Sequence, residues 1–234
     1  MIFSKAAALE LLDLNEQAYV LATTGHCVLP EGFSEPVPIR MPAEGRPVFL
    51  RGDPLDIWGY ATSKDGRLYL VFRGTQITSG LDFAQEWAED ALSLPLQPIG
   101  GTKVHLGFYG AWKALERATL DAGNSLIPDG VSYEQIITGH SLGAAIATLC
   151  WAELGGDLMT FASPRVGDPA FGKTLWDGQT VRIVNNGDIV PNVPTDPPFR
   201  HGGQLFVAFG PGNWFDAKIA HSLESYRIGR EETI

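Results

Sequence analysis

Five residues, Gly139-His140-Ser141-Leu142-Gly143, constrain this chain more than any other stretch. They follow Tyr133-Glu134-Gln135-Ile136-Ile137-Thr138, which reads as a strand. They precede Ala144-Ala145-Ile146-Ala147-Thr148-Leu149, which is strong helix-forming material. A G-x-S-x-G pattern between a strand and a helix predicts a sharp elbow with Ser141 at its apex. Side chains at the two glycine positions would crowd such a turn. The first N–H groups of the helix face the serine, so the Leu142 N–H can donate to a negatively charged oxygen formed there. This makes Ser141 a candidate nucleophile. A glycine-rich turn that holds serine by chance is the alternative, and the strand and helix on the correct sides weigh against it. His140 adjoins Ser141, but at a sharp elbow the two side chains diverge, so it is not expected to be the base.

The rest of the chain fits an α/β domain. Residues 4–28 read as one or two helices with Ser4 as N-cap and Leu9, Leu12, Ala18 and Leu21 on one apolar side. A loop rich in proline follows, from Pro30 to Pro47. Residues 56–62 and 67–73 form a predicted hairpin around Asp65-Gly66. Residues 81–92 form an amphipathic piece in which Phe83 and Trp87, four apart, share a helix face. A helix is predicted over 104–126, a strand over 131–138, and a helix over 141–153. Strands follow at 157–162, 180–185 and 203–209, then a terminal helix or turn at 217–226. Alternating strands and helices with apolar central strands predict a mostly parallel sheet. With no repeat and no linker, residues 1–234 read as one domain.

Composition narrows the function classes. The net charge is −10 and no Lys/Arg cluster stands out, which argues against nucleic acid and against adsorption to anionic membranes by charge. No run of 18 apolar residues exists, so no transmembrane segment is expected. The N-terminus lacks a basic start followed by an uninterrupted apolar run. That leaves a cytoplasmic protein or the mature form of a secreted one. Cys27 and Cys150 make neither a disulfide framework nor a metal pattern, and Cys150 reads as a small buried residue. No feature speaks to the oligomeric state.

An elbow serine needs a histidine base and an acid that orients it, in the chain order serine, acid, histidine. His201 and His221 are the two histidines after Ser141, and position alone barely separates them. For the acid, Asp188 lies just past the strand at 180–185, with Asp168, Asp177 and Asp196 as rivals. Asn186-Gly187-Asp188 is also good turn sequence, so a purely structural aspartate is the competing reading.

Six segments, in order, resemble the class 3 lipase family of filamentous-fungal triacylglycerol lipases and their bacterial and plant relatives. They are Val71-Phe72-Arg73-Gly74-Thr75, His105-Leu106-Gly107-Phe108, residues 137–145 around the elbow, Thr160-Phe161-Ala162-Ser163-Pro164-Arg165-Val166-Gly167, residues 182–191 around Asp188, and His221-Ser222-Leu223-Glu224-Ser225-Tyr226. The resemblance implies an α/β-hydrolase fold: a mostly parallel central sheet flanked by helices, with a short lid helix. It implies Ser141, Asp188 and His221 as the triad, and His201 as a second family histidine that is not the base. It implies Thr75 and Leu142 as oxyanion donors, and residues 76–94 as a lid whose Leu81, Phe83 and Trp87 meet acyl chains. An ordinary surface helix is the alternative for that last span. The stretch from Ile77 to Leu81 lengthens the approach to Trp87, and Gln204 stands where an acidic residue is common.

The implied activity is carboxylic ester hydrolysis through a serine acyl-enzyme, with a triacylglycerol lipase first. A phospholipase or a feruloyl or short-chain carboxylesterase comes next. An amidase or a catalytically silent binding protein on the same fold is the more distant alternative. The expected partner is a lipid or small-molecule ester, met at a transient lipid–water contact. The route calls for no metal and no organic cofactor.

Overall fold

In the computed structural model, residues 4–42, 55–75, 96–128, 131–176, 178–208, 210 and 217–232 are described. The lid span, with Leu81, Phe83 and Trp87, lies outside them. A seven-stranded sheet runs in the order β1 (Val37–Arg40), β2 (Ile57–Lys64), β3 (Arg67–Phe72), β6 (Glu134–His140), β7 (Asp157–Phe161), β8 (Thr180–Asn185) and β9 (Gln204–Ala208). The first three strands pair antiparallel, and every pairing from β3 to β9 is parallel. Between β3 and β6 the chain forms a separate hairpin, β4 (Leu96–Ile99) and β5 (Thr102–His105).

The β2–β3 turn is set by Asp65 and Gly66, with φ of 51° and 73°. Two consecutive left-handed residues match the twist of the flanking strands, and Asp-Gly tolerates them. Pro38 sits in β1, at the sheet edge, where its missing N–H costs no interior hydrogen bond.

Alternation along the central strands sends side chains to two cores. Leu68, Leu70, Phe72 and Ile137 join Trp112 and Leu115 of α2 (Leu106–Asn124), several residues of α3 (Leu142–Leu154), and Phe171 and Leu175 of α4 (Pro169–Trp176) on one face. Tyr69, Val71, Ile136 and Met159 meet α1 (Lys5–Thr24) and Tyr226 of α6 (Leu223–Glu232) on the other. Both faces of β3, β6 and β7 are thus covered, which explains their buried apolar residues, while the edge strand β9 is exposed from Gln204 to Val207. Cys27 and Cys150 are free thiols, one in each core.

Helix α1 matches its sequence signals. The Ser4 hydroxyl oxygen accepts from the Ala7 N–H at 3.1 Å, and left-handed Gly25 closes the helix by donating its N–H to the Leu21 carbonyl. Leu11, Leu12, Leu14, Ala18 and Leu21 are buried, while Leu9 packs at the margin.

Four elements depart from expectation. Strand β6 begins at Glu134 and runs to His140, because Val131 and Tyr133 are exposed and precede the sheet. The 104–126 helix begins two residues later, after β5. Helix α4 arises where none was expected, capped by Asp168, whose carboxylate accepts from the Phe171 N–H at 2.9 Å. The terminal segment is two helices, α5 (Ala217–Ala220) and α6. Among the described residues, no helix is long and apolar enough to cross a membrane.

Leu12 is fully buried between α1 and the sheet. Leu12→Ala is expected to lower unfolding free energy by about 2–5 kcal/mol in urea titration. A loss below about 1 kcal/mol would mean that α1 is not docked as described.

Candidate active site

Ser141 stands between the last residue of β6 and the first of α3, with φ 60° and ψ −127°. Only glycine enters that region without strain, so the surroundings must hold it there. They do so by close backbone approach. A Cβ on Gly139 would lie 2.3 Å from the Gly143 carbonyl oxygen, and one on Gly143 would lie 2.2 Å from the Phe72 carbonyl oxygen. The Ser141 N–H donates to the Phe161 carbonyl at 3.0 Å, fixing the elbow to the end of β7. A side chain at 139 is thus excluded by the first turn of α3, and one at 143 by the backbone at the end of β3.

The base comes from the loop between α5 and α6. His221 Nε2 lies 2.8 Å from Ser141 Oγ, and its Nδ1 lies 2.8 Å from Asp188 Oδ2. All three side chains are at most 5% exposed. Asp188 sits just beyond β8. Its Oδ1 accepts from the Val190 N–H at 2.9 Å, and its Oδ2 also accepts from the Tyr226 hydroxyl at 2.6 Å. A carboxylate can only accept, so His221 Nδ1 carries the proton and Nε2 is bare for the serine hydroxyl. This is the arrangement of a Ser-His-Asp triad.

The rivals find other work. Asp168 caps α4, and Asp196 pairs with Arg200 at 3.2 Å, while Asp177 lies outside the described residues. His201 donates from Nε2 to the Pro191 carbonyl at 2.7 Å, bracing the segment that follows Asp188. Burial, and next the Arg182 charge, push its pKa down to about 3. His140 is not the base: its Nε2 lies 2.9 Å from the His221 carbonyl oxygen.

Three supporting residues are not named as site candidates by the sequence. Asn185 donates through Nδ2 to the Ala220 carbonyl at 2.8 Å, tying the end of β8 to the residue before the base. Tyr19, on α1, accepts from the Gly74 N–H at 2.9 Å. Arg73 is buried, stacked 4.2 Å over Trp58, and donates to the Gly74 carbonyl at 2.7 Å. Asn185 and Tyr19 have their partners far off in sequence, while Arg73 acts on the neighbouring Gly74. Gly74 itself runs beside the nucleophile: a Cβ there would lie 2.7 Å from Ser141 Cβ. Thr75 and Leu142 follow Gly74 and Ser141 directly. Among the described residues, no three His, Cys, Asp or Glu side chains converge as a metal site would.

Fold and triad together are those of the α/β-hydrolase class. Comparison with known proteins narrows the class. The family model "Lipase (class 3)" matches residues 69–197, more than half of the chain, and the chain belongs to that family. It is 33% identical over 154 residues to a lipase of Rhizomucor miehei, covering 59% of this chain and 41% of that protein. It is 32% identical over 134 residues to secreted mono- and diacylglycerol lipase A of Penicillium cyclopium, covering 53% and 42%. Among solved structures, Rhizomucor miehei triacylglyceride lipase superposes with a TM-score of 0.61 at 25% identity, over 86% of this chain and 78% of that one. The aligned region spans about two-fifths of the length of these curated relatives.

Two outcomes test the site. Gly143→Ala is expected to destabilise by about 2 kcal/mol or more and to depress activity, because the Phe72 carbonyl is fixed backbone. An unchanged melting temperature would contradict the close approach. For His201, the folded pKa is depressed, so below the ordinary value of about 6.5 the unfolded chain takes a proton that the folded one refuses. Its contribution to stability is therefore lost as pH falls from about 6.5 toward 3. His201→Gln should flatten the stability-versus-pH curve across that window in urea titrations.

Proposed function

We propose that this protein is a carboxylic ester hydrolase acting on acylglycerols through a serine acyl-enzyme, with triacylglycerol as first substrate. The observation that carries the reading is the hydrogen-bonded line from Ser141 Oγ through His221 to Asp188, at 2.8 Å and 2.8 Å. It sits on an elbow of the kind used for acyl transfer. His221 takes the Ser141 proton as the hydroxyl attacks the ester carbonyl. Asp188 holds the imidazole in the working tautomer and stabilises its cation. The N–H groups of Thr75 and Leu142 bind the developing oxyanion. Two things support this: Gly74 passes against Ser141, and Leu142 opens α3, where no carbonyl of its own helix can take its N–H. His221 then gives its proton to the leaving alcohol, and water releases the acid by the reverse sequence.

Acylglycerol is favoured by what the relatives are called, the Rhizomucor miehei protein a triacylglyceride lipase and the Penicillium cyclopium protein a mono- and diacylglycerol lipase. The second name supports partial glycerides as the next reading. In our reading residues 1–234 work as one domain, and 76–94 form a lid. A short helix with Phe83 and Trp87 on one face, and Leu81 at its start, would cover acyl chains in water and turn to lipid at an interface.

Ser141→Ala and His221→Ala should each reduce p-nitrophenyl ester turnover by about 10⁴-fold or more while leaving the fold intact. His201→Ala should keep measurable activity. Near-normal turnover in Ser141→Ala would end the assignment, and the reverse ranking of the two histidines would move the base. Rates on tri-, di- and monoacylglycerol emulsions, measured side by side, separate the two substrate readings.

A further inference from the structure

The oxyanion loop and the general base belong to distant parts of the chain, and one line of hydrogen bonds joins them. The Gly74 N–H donates to Tyr19 Oη at 2.9 Å. Tyr19 Oη lies 2.8 Å from His140 Nδ1, and His140 Nε2 lies 2.9 Å from the His221 carbonyl oxygen. A carbonyl can only accept, so His140 Nε2 must carry a proton. Burial, and next the neighbouring His221 ring, hold the His140 pKa well below the ordinary histidine value, so the ring is neutral and its Nδ1 is bare. The Tyr19 hydroxyl therefore donates to Nδ1 and keeps a lone pair for the Gly74 N–H. Every proton in the line has one placement.

We propose that Tyr19 and His140 are positioning residues that hold the oxyanion loop and the base His221 in one register. The line runs from Gly74 N–H to Tyr19 Oη, from the Tyr19 hydroxyl to His140 Nδ1, and from His140 Nε2–H to the His221 carbonyl. The opposite side of Gly74 is held as well, since Arg73 donates to its carbonyl oxygen at 2.7 Å. That oxygen and the Thr75 N–H belong to one planar peptide, so fixing one aims the other. The His140 ring also lies against the His221 ring, with centroids 4.7 Å apart and planes 33° apart. A neutral ring there tolerates the imidazolium that forms on His221 during attack, where a charged one would oppose it.

The inference rests on the proposed ester hydrolysis at Ser141, and the test separates the two. Tyr19→Phe and His140→Phe keep the rings and remove the line. With p-nitrophenyl butyrate, each should lower kcat by about ten- to a hundredfold with KM within about twofold, because geometry at the reacting atoms is lost and not ground-state binding. The rate of inactivation by a phosphonate ester should fall by a similar factor. The double variant should be no worse than the worse single variant, as expected of residues that act as a unit. His140→Gln, whose amide can still donate to the His221 carbonyl, should recover part of the loss seen with Phe. Unchanged kcat in Tyr19→Phe, or losses that multiply in the double variant, would overturn the relay. If Tyr19→Phe does not fold, equal losses in His140→Gln and His140→Phe overturn it, and partial recovery in His140→Gln supports it. A wild-type chain with neither esterase activity nor phosphonate labelling would overturn the hydrolase reading itself.

Discussion

Everything at the centre of this molecule depends on backbones that touch without side chains between them. The end of β3, the elbow after β6 and the first turn of α3 meet where Gly139 and Gly143 leave room for carbonyl oxygens. With a methyl group at either place, the first turn of α3 would move away from the sheet and Ser141 would lose its strained conformation. The strain costs on the order of 1–3 kcal/mol. It is sustained because the parallel strands on each side are buried on both faces and cannot relax independently.

Around this contact the polar groups divide the task. Ser141 and Leu142 are placed by the elbow and its tie to the Phe161 carbonyl. Asp188 is placed by the end of β8 and held by the Val190 N–H and the Tyr226 hydroxyl. His221 lies on no regular element, so it needs more support. Asn185 holds the Ala220 carbonyl and His140 holds the carbonyl of His221 itself. The His221 side chain is thus fixed through two main-chain carbonyls, its own and that of Ala220 at the end of α5. Its ring nitrogens are left to Ser141 and Asp188.

The parts legible in the sequence are those whose cause is local. The elbow, the Asp65-Gly66 turn, the Ser4 cap and the strands over 157–162 and 180–185 follow from nearest-neighbour chemistry. Position alone left His201 and His221 nearly level, because each follows a loop after β8. In three dimensions one faces Ser141 and the other the Pro191 carbonyl. Family resemblance, not spacing, had separated them beforehand. Strand β6 was placed too early because Val131 and Tyr133 are apolar, though exposed. Helix α4 was missed because Asp168-Pro169 reads as a turn as readily as a capped start. Tyr19 could not be found at all: its partners Gly74 and His140 lie 55 and 121 residues away, and nothing in α1 marks it.

Helix α1 contributes no group to the chemistry, yet it packs beside α6, where Arg227 pairs with Asp13 and with Glu16 at 3.0 Å. Proteins open in cooperative pieces whose free energies lie below that of global unfolding. An excursion that lifted α1 from the sheet would withdraw Tyr19 and strip α6 of its neighbour while β6, β7 and the elbow stayed folded. Hydrogen exchange of α1 amides would report that opening. The lifetime of the working state is then bounded by the least protected of its helices, and not by the melting of the sheet that holds the nucleophile.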